Sequence, residues 1–123
     1  MKYTIDDILN DETKKIDVSE FFPKATERVI MKTKRLAAKY QYHITRAMEG
    51  AEFKGEKEYM DARKMILLNG IVMDDDFPID KWDSETIDWL EENRGKFIDF
   101  LIIEISEFNR PLALRKQTNS SSL

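Results

Sequence analysis

The chain of 123 residues contains no cysteine and one histidine, His43. Without thiols there is no disulfide framework, no thiolate zinc site and no cysteine nucleophile. A lone histidine lacks the second His or Cys that a metal centre or a general base would need to converge with it, so His43 reads as a partly exposed structural residue. Four glycines and three prolines are too few for the tight turns of an all-β chain. Nor do the glycines make a phosphate loop. The stretch GAEFKGEK around Gly50 and Gly55 lacks the Walker spacing and its Lys-Ser/Thr ending, and no G-x-S-x-G is present. The longest apolar runs, such as Phe100 to Ile103, are far below the ~20 residues that span a bilayer. The opening MKYTIDDILNDETKK has no apolar signal core and carries acids early. These absences lead to the expectation of a cytoplasmic, non-enzymatic protein that uses no cofactor.

What is present is apolar mass and charge. Hydrophobic residues make up 41% and charged residues 36%, enough for one core and more charge than the roughly 25% usual in soluble domains. Residues 1–22 read as a lead-in, with Thr4 and Asp7 as a capping pair ahead of a short helix over residues 5–10. Phe21-Phe22-Pro23 then adds an apolar anchor. From Lys24 to about Met48 the positions Val29, Leu36, Tyr40, Ile44 and Ala47 share one face of a 3.6-residue period, which predicts a long helix ended by Gly50. A second helix is predicted from about Glu56 to Leu68, with Tyr59, Ala62, Met65 and Ile66 inward and Gly70 as its stop. Residues 71–82 break the pattern; Ile71-Val72-Met73 could be extended but has no obvious partner strand. Asp83 or Ser84 caps a third helix carrying Ile87, Trp89 and Leu90. A fourth runs from Lys96 to about Phe108 and is stopped by Pro111. The expected architecture is all-α: a small four-helix bundle over residues 23–112, followed by a disordered tail over 113–123.

Charge is sorted along the chain. Residues 23–47 hold seven bases (Lys24, Arg28, Lys32, Lys34, Arg35, Lys39, Arg46) against Glu27, whereas residues 71–109 hold twelve acids against Lys81, Arg94 and Lys96. The basic segment admits a nucleic-acid-binding regulator. An overall charge of −4 has the wrong sign for steering toward phosphates, so internal balance against the acidic half is the expectation, and nucleic acid is not the expected partner. The run Asp74-Asp75-Asp76 has neither the alternation nor the sixth-position glycine of a calcium loop and reads as a solvated loop.

The last helix is the most informative element. Phe97, Ile98, Phe100, Leu101, Ile102, Ile103, Ile105 and Phe108 cover most of its circumference, so it is either central in a bundle or buries a face against another chain. Trp82, Trp89 and Phe97 are residue types that dominate interfaces. Asp80-Lys81-Trp82, Thr86-Ile87-Asp88-Trp89-Leu90, and Phe97 through Asn109 with Arg110-Pro111-Leu112 resemble tail assembly chaperones of long-tailed phages. The wording matches over residues 80–112 and the general character over residues 20–112. The resemblance implies a helper in the host cytoplasm that coats an apolar tape-measure protein during tail assembly, with the tail tube protein and self-association as further contacts.

The function expected is therefore shielding of an apolar helical client, carried by Phe97, Phe100, Leu101, Ile105 and Phe108 with Trp82 and Trp89 as flanking anchors. A connector that forms an oligomeric ring through the same helix is the alternative.

Overall fold

The computed structural model describes residues 2–5, 13–49 and 56–109. The helix expected at 5–10 (Ile5 apart), the Gly50 to Gly55 linker, the Pro111 stop and the 113–123 tail lie outside these residues.

The all-α expectation is overturned. Four helices are joined by a three-stranded antiparallel sheet among the described residues, so the fold is mixed α and β. Strands β1 (Thr13–Asp17), β2 (Ile30–Lys34) and β3 (Ile71–Val72) lie in that order. Thr13 pairs with Lys34 and Asp17 with Ile30, while Lys32 and Thr33 pair with Val72 and Ile71. The helices are α1 (Gln41–Glu49), α2 (Glu56–Gly70), α3 (Ser84–Asn93) and α4 (Gly95–Phe108).

The error lies in the segment read as one long helix. Ile30-Met31-Lys32-Thr33-Lys34 alternates: Met31 and Thr33 are buried and their neighbours face outward. That is the period of two of a half-buried strand. In a helix, Met31 and Thr33 would point about 200° apart, since each residue turns about 100°. The apolar positions at helical spacing still reach the core, because Leu36, Ile44 and Ala47 are buried. Leu36 does so from the loop after β2 and Ile44 and Ala47 from α1, with Tyr40 of the intervening 3₁₀ turn (Ala38–Tyr40) partly buried against the core. Ile71 and Val72 do find a partner, in β2, forty residues earlier. The lead-in supplies β1, whose Ile16 is buried and whose Lys14 reaches Glu104 of α4 at 3.1 Å.

Helix α4 lies at the centre. It packs on α2, on α3 and on β2, and Phe97, Ile98, Leu101, Ile102, Ile105 and Ser106 are buried. Each fully buried Leu, Ile or Phe contributes about 1.5–3 kcal/mol relative to an exposed one. Among the described residues, Arg63 of α2 is the buried cation. It donates to Glu91 of α3 at 2.9 Å and to Asp99 of α4 at 2.6 Å, tying three helices together. Burial is the largest single effect and acts to lower its pKa, but the two carboxylates, with Tyr59, together outweigh it and hold the pKa above the usual arginine value.

Two contacts set the helix positions. At the C-terminal end of α4, Asn109 is buried; its Oδ1 accepts from the Leu36 N–H at 2.7 Å, and its Nδ2 donates to the carbonyls of Ile105 (2.9 Å) and Lys34 (3.2 Å). Arg35 adds a hydrogen bond to the Phe108 carbonyl and covers the Phe108 ring at 4.3 Å. At the C-terminal end of α2, Gly70 meets Ile105; a Cβ there would stand 2.6 Å from Ile105 Cγ2.

Asn109→Ala leaves the buried Leu36 N–H without an acceptor and is expected to cost about 1–3 kcal/mol, read as a lower urea midpoint with unchanged slope. Gly70→Ala is expected to cost about 1–3 kcal/mol by overpacking. Combined with Ile105→Ala it should lose less than the sum of the single changes; strict additivity in urea unfolding would refute the contact.

Candidate functional site

Helices α3 and α4 are separated by one residue. Asp83 starts α3: its carboxylate accepts from the Thr86 N–H at 2.9 Å, and that hydrogen bond holds its pKa below the usual aspartate value. The helix then presents Ile87 and Leu90 inward and Trp89 outward, as the helical period requires. Arg94 leaves helical geometry at φ −142° and ψ 53°, and α4 begins at Gly95. The break opens the ends of the two helices.

The connection between β1 and β2 supplies the opposite wall. Asp17 accepts from the Ser19 N–H at 2.9 Å, and the Ser19 hydroxyl accepts from the Val29 N–H at 2.8 Å, which closes the base of this connection. The 3₁₀ turn Ser19–Phe21 then places Phe21 and Phe22 on the first turns of α4. Phe21 lies 5.1 Å from the Phe97 ring and 5.4 Å from the Phe100 ring, and Phe22 meets Phe97 edge-on at 5.7 Å. Such pairs add about 0.5–1.5 kcal/mol each beyond burial.

Between these walls lies an open cleft of about 490 Å³, with Phe21, Phe22, Ile79, Trp89, Leu90 and Phe97 as its apolar lining. Thr86, Asn93, Arg94, Gly95 and Lys96 complete it. A further hollow of about 560 Å³ shares Phe21, Phe22 and Arg94 and adds Pro23, Lys24 and Ala25. Trp89 is 54% exposed, with the Arg94 guanidinium 5.8 Å from its ring centre.

The seven residues expected to bind a client are divided by the fold. Trp82, Phe97, Leu101 and Ile105 are buried in the core. Trp82 donates its indole N–H to the Leu67 carbonyl at 2.7 Å and meets Phe77 edge-on. Phe100 and Phe108 are half-buried, the first against Phe21 and the second under Arg35. Trp89 is exposed at the cleft beside Arg94, with Phe97 contributing to its floor. Ile103 is exposed on the outer side of α4. Phe21, Phe22, Ile79 and Arg94 were not among the expected site residues. The Phe21-Phe22-Pro23 anchor was visible as an apolar triplet, but its destination was not.

The other candidates settle into structural roles. His43 is half-buried, with Tyr40 and Tyr42 rings at 5.9 and 5.6 Å. Asp74 accepts from Lys32 at 2.6 Å and from the Asp76 N–H at 3.2 Å. The Lys32 hydrogen bond is the main cause lowering the Asp74 pKa, and the same bond raises that of Lys32. Lys32 is thus one base of the 23–47 segment that meets the acidic half. Arg28 instead stands 3.9 Å from Asp17, and Lys39 lies over Tyr40. Lys15 and Lys32 face each other across the outer side of the sheet. No helix among the described residues is long and apolar enough to cross a membrane.

Iodide should quench Trp89 and leave Trp82 untouched. Fluorescence of the Trp89→Phe variant is expected to be almost insensitive to iodide; persistent quenching would place Trp82 at the surface, against this geometry. No protein-family model, curated protein or solved structure matches the chain.

Proposed function

We propose that this protein is a non-enzymatic binding factor that holds an apolar helical segment of a partner protein in the cleft between α3, α4 and the Phe21-Phe22 turn. The observation that carries the reading is Trp89. A large aromatic side chain, more than half exposed, stands on the rim of an apolar cleft. Isolated exposed apolar residues are ordinary, but a contiguous apolar hollow with an aromatic at its edge is the usual form of a binding site. Aromatic anchors of this kind concentrate binding energy, each truncation at such a hot spot costing about 2 kcal/mol or more.

The resemblance of residues 80–112 to phage tail assembly chaperones supplies the class of client: a long, apolar, helical tape-measure protein shielded before the tail tube encloses it. The cleft suits a segment that enters and leaves. Its floor is apolar, its mouth is open, and an amphipathic helix can lay an i, i+3, i+4 stripe into such a groove. The shielding surface differs from that expected from the sequence, since it uses the end of α4 rather than its length.

Trp89→Ala should weaken client binding about tenfold or more in a titration calorimeter while changing the urea midpoint little, as exposed substitutions do. Unchanged affinity in a folded variant would rule out the cleft as the client site. Co-expression with the client offers a second measure: the client should stay soluble with the native chain and precipitate with the variant.

A further inference from the structure

The charged residues that line the cleft are of one sign. Arg94 and Lys96 are the charged residues of its lining, and Lys24 is the charged residue added by the adjoining hollow. This is unexpected from composition. Residues 71–109 hold twelve acids and three bases, and two of those three bases, Arg94 and Lys96, stand here. None of the three cations forms an ion pair with a carboxylate among the described residues. Arg94 donates to the adjacent Asn93 carbonyl and lies over Trp89, so both groups are held at the mouth.

The backbone adds to the same field. The first turn of α4 contains no acid, and Arg94, at its N-cap position, provides no side-chain acceptor. Most helices place Ser, Thr, Asp or Asn there, or an acid within the first turn. No acid of its own first turn therefore offsets the positive end of this fourteen-residue helix where the two cations stand.

We propose that the cleft is selective for an amphipathic helix carrying Asp or Glu beside its apolar stripe. The aliphatic side chains of the stripe lie on Phe21, Phe22, Ile79 and Leu90 against Trp89. A carboxylate one turn away meets Arg94 and Lys96 at the start of α4. The inference rests on the cleft being the partner site and names the chemistry of that partner. A polyanion without apolar groups would leave the Phe and Ile floor unused, whereas an uncharged apolar helix would partly desolvate two rim cations and leave them unpaired. The second case is the costlier, because desolvating a charge without a counter-ion opposes binding. The arrangement therefore discriminates between clients as well as attracting them.

Two synthetic fifteen-residue helical peptides test this on the full chain. Both carry Leu at i, i+3, i+4 and i+7; one has three Glu flanking the stripe, and the other has Gln at those positions. Titrations follow Trp89 emission and heat. At low salt the Glu peptide should bind about fivefold tighter or more, as expected for a few partly exposed charge contacts. The advantage should shrink toward 1 M salt, where screening acts within about 3 Å. Arg94→Gln with Lys96→Gln, both at exposed or rim positions, should bring the ratio of the two affinities to about one.

Equal binding of the two peptides to the native chain would overturn the charge selectivity and leave the cleft as a docking site. Failure of both peptides to bind or to move Trp89 emission would overturn the cleft itself. Stronger displacement of the Glu peptide by palmitate or by a 20-nucleotide DNA strand would reassign the basic rim to a lipid or to nucleic acid, and overturn the proposal. Concentration-dependent association of the chain that Lys96→Gln abolishes would make a second copy the occupant, with the same consequence.

Discussion

Burial of α4 is the interaction on which the rest of the structure depends. Its apolar residues extend too far round its circumference for one neighbour to cover, so α2, α3 and β2 surround it. Each neighbour is held by a different device. Gly70 lets α2 approach to where a Cβ would collide with Ile105. Arg63 ties α2 to α3 and to α4 through two carboxylates. Asn109 fastens the end of β2 to the end of α4 by serving the backbone groups of three residues. A helix of fourteen residues is about 21 Å long, and these devices are spread along it.

The same burial limits where the proposed binding could occur. A helix whose middle is enclosed cannot offer that middle to a client without unfolding its own core. An apolar hollow opens at the N-terminal end, where the break at Arg94 leaves it incompletely covered by α3, whereas farther along the helix Ile103 is exposed without such a hollow. The Phe21-Phe22 turn closes one side of that end and leaves a cleft. Trp89 and Arg94 lie next to each other at its mouth because both follow from the last turns of α3. The proposed docking site lies at the edge of a packed core, where Phe21 is stacked on Phe97 and Phe100, so a ligand bound there would cost little side-chain freedom.

The helices of the C-terminal half were legible because their signals are local. Asp83 as a cap, Gly70 as a stop and the apolar crowding of 97–108 depend on near neighbours, and each stands where the residues implied. The segment 24–48 departs from its expected helix because its decisive information is distant. Lys and Met are good helix formers whereas Ile and Thr favour strands, so Ile30 to Lys34 has no intrinsic bias strong enough to name a strand. It becomes one because Thr13–Asp17 and Ile71–Val72 pair with it from either side. For the site, the residue types were legible and their accessibility was not. Trp82 and Trp89 are equally plausible anchors in sequence, yet the first is enclosed by Phe77 and the Leu67 carbonyl and the second faces outward.

The amino-acid sequence by itself determined which elements are helical near a strong cap or stop, that α4 must be covered, and that thiol, phosphate-loop and nucleophile-elbow chemistry have no residues to use. Those conclusions follow from composition, spacing and local backbone preference. Only the tertiary structure decided that the basic segment is part strand, that the covering of α4 comes from this chain itself, and that Phe21, Phe22, Trp89 and Arg94 share one cleft. The physical reason is that strand pairing and burial are settled between residues tens of positions apart. Near-neighbour patterns carry no record of which distant segment will lie across them.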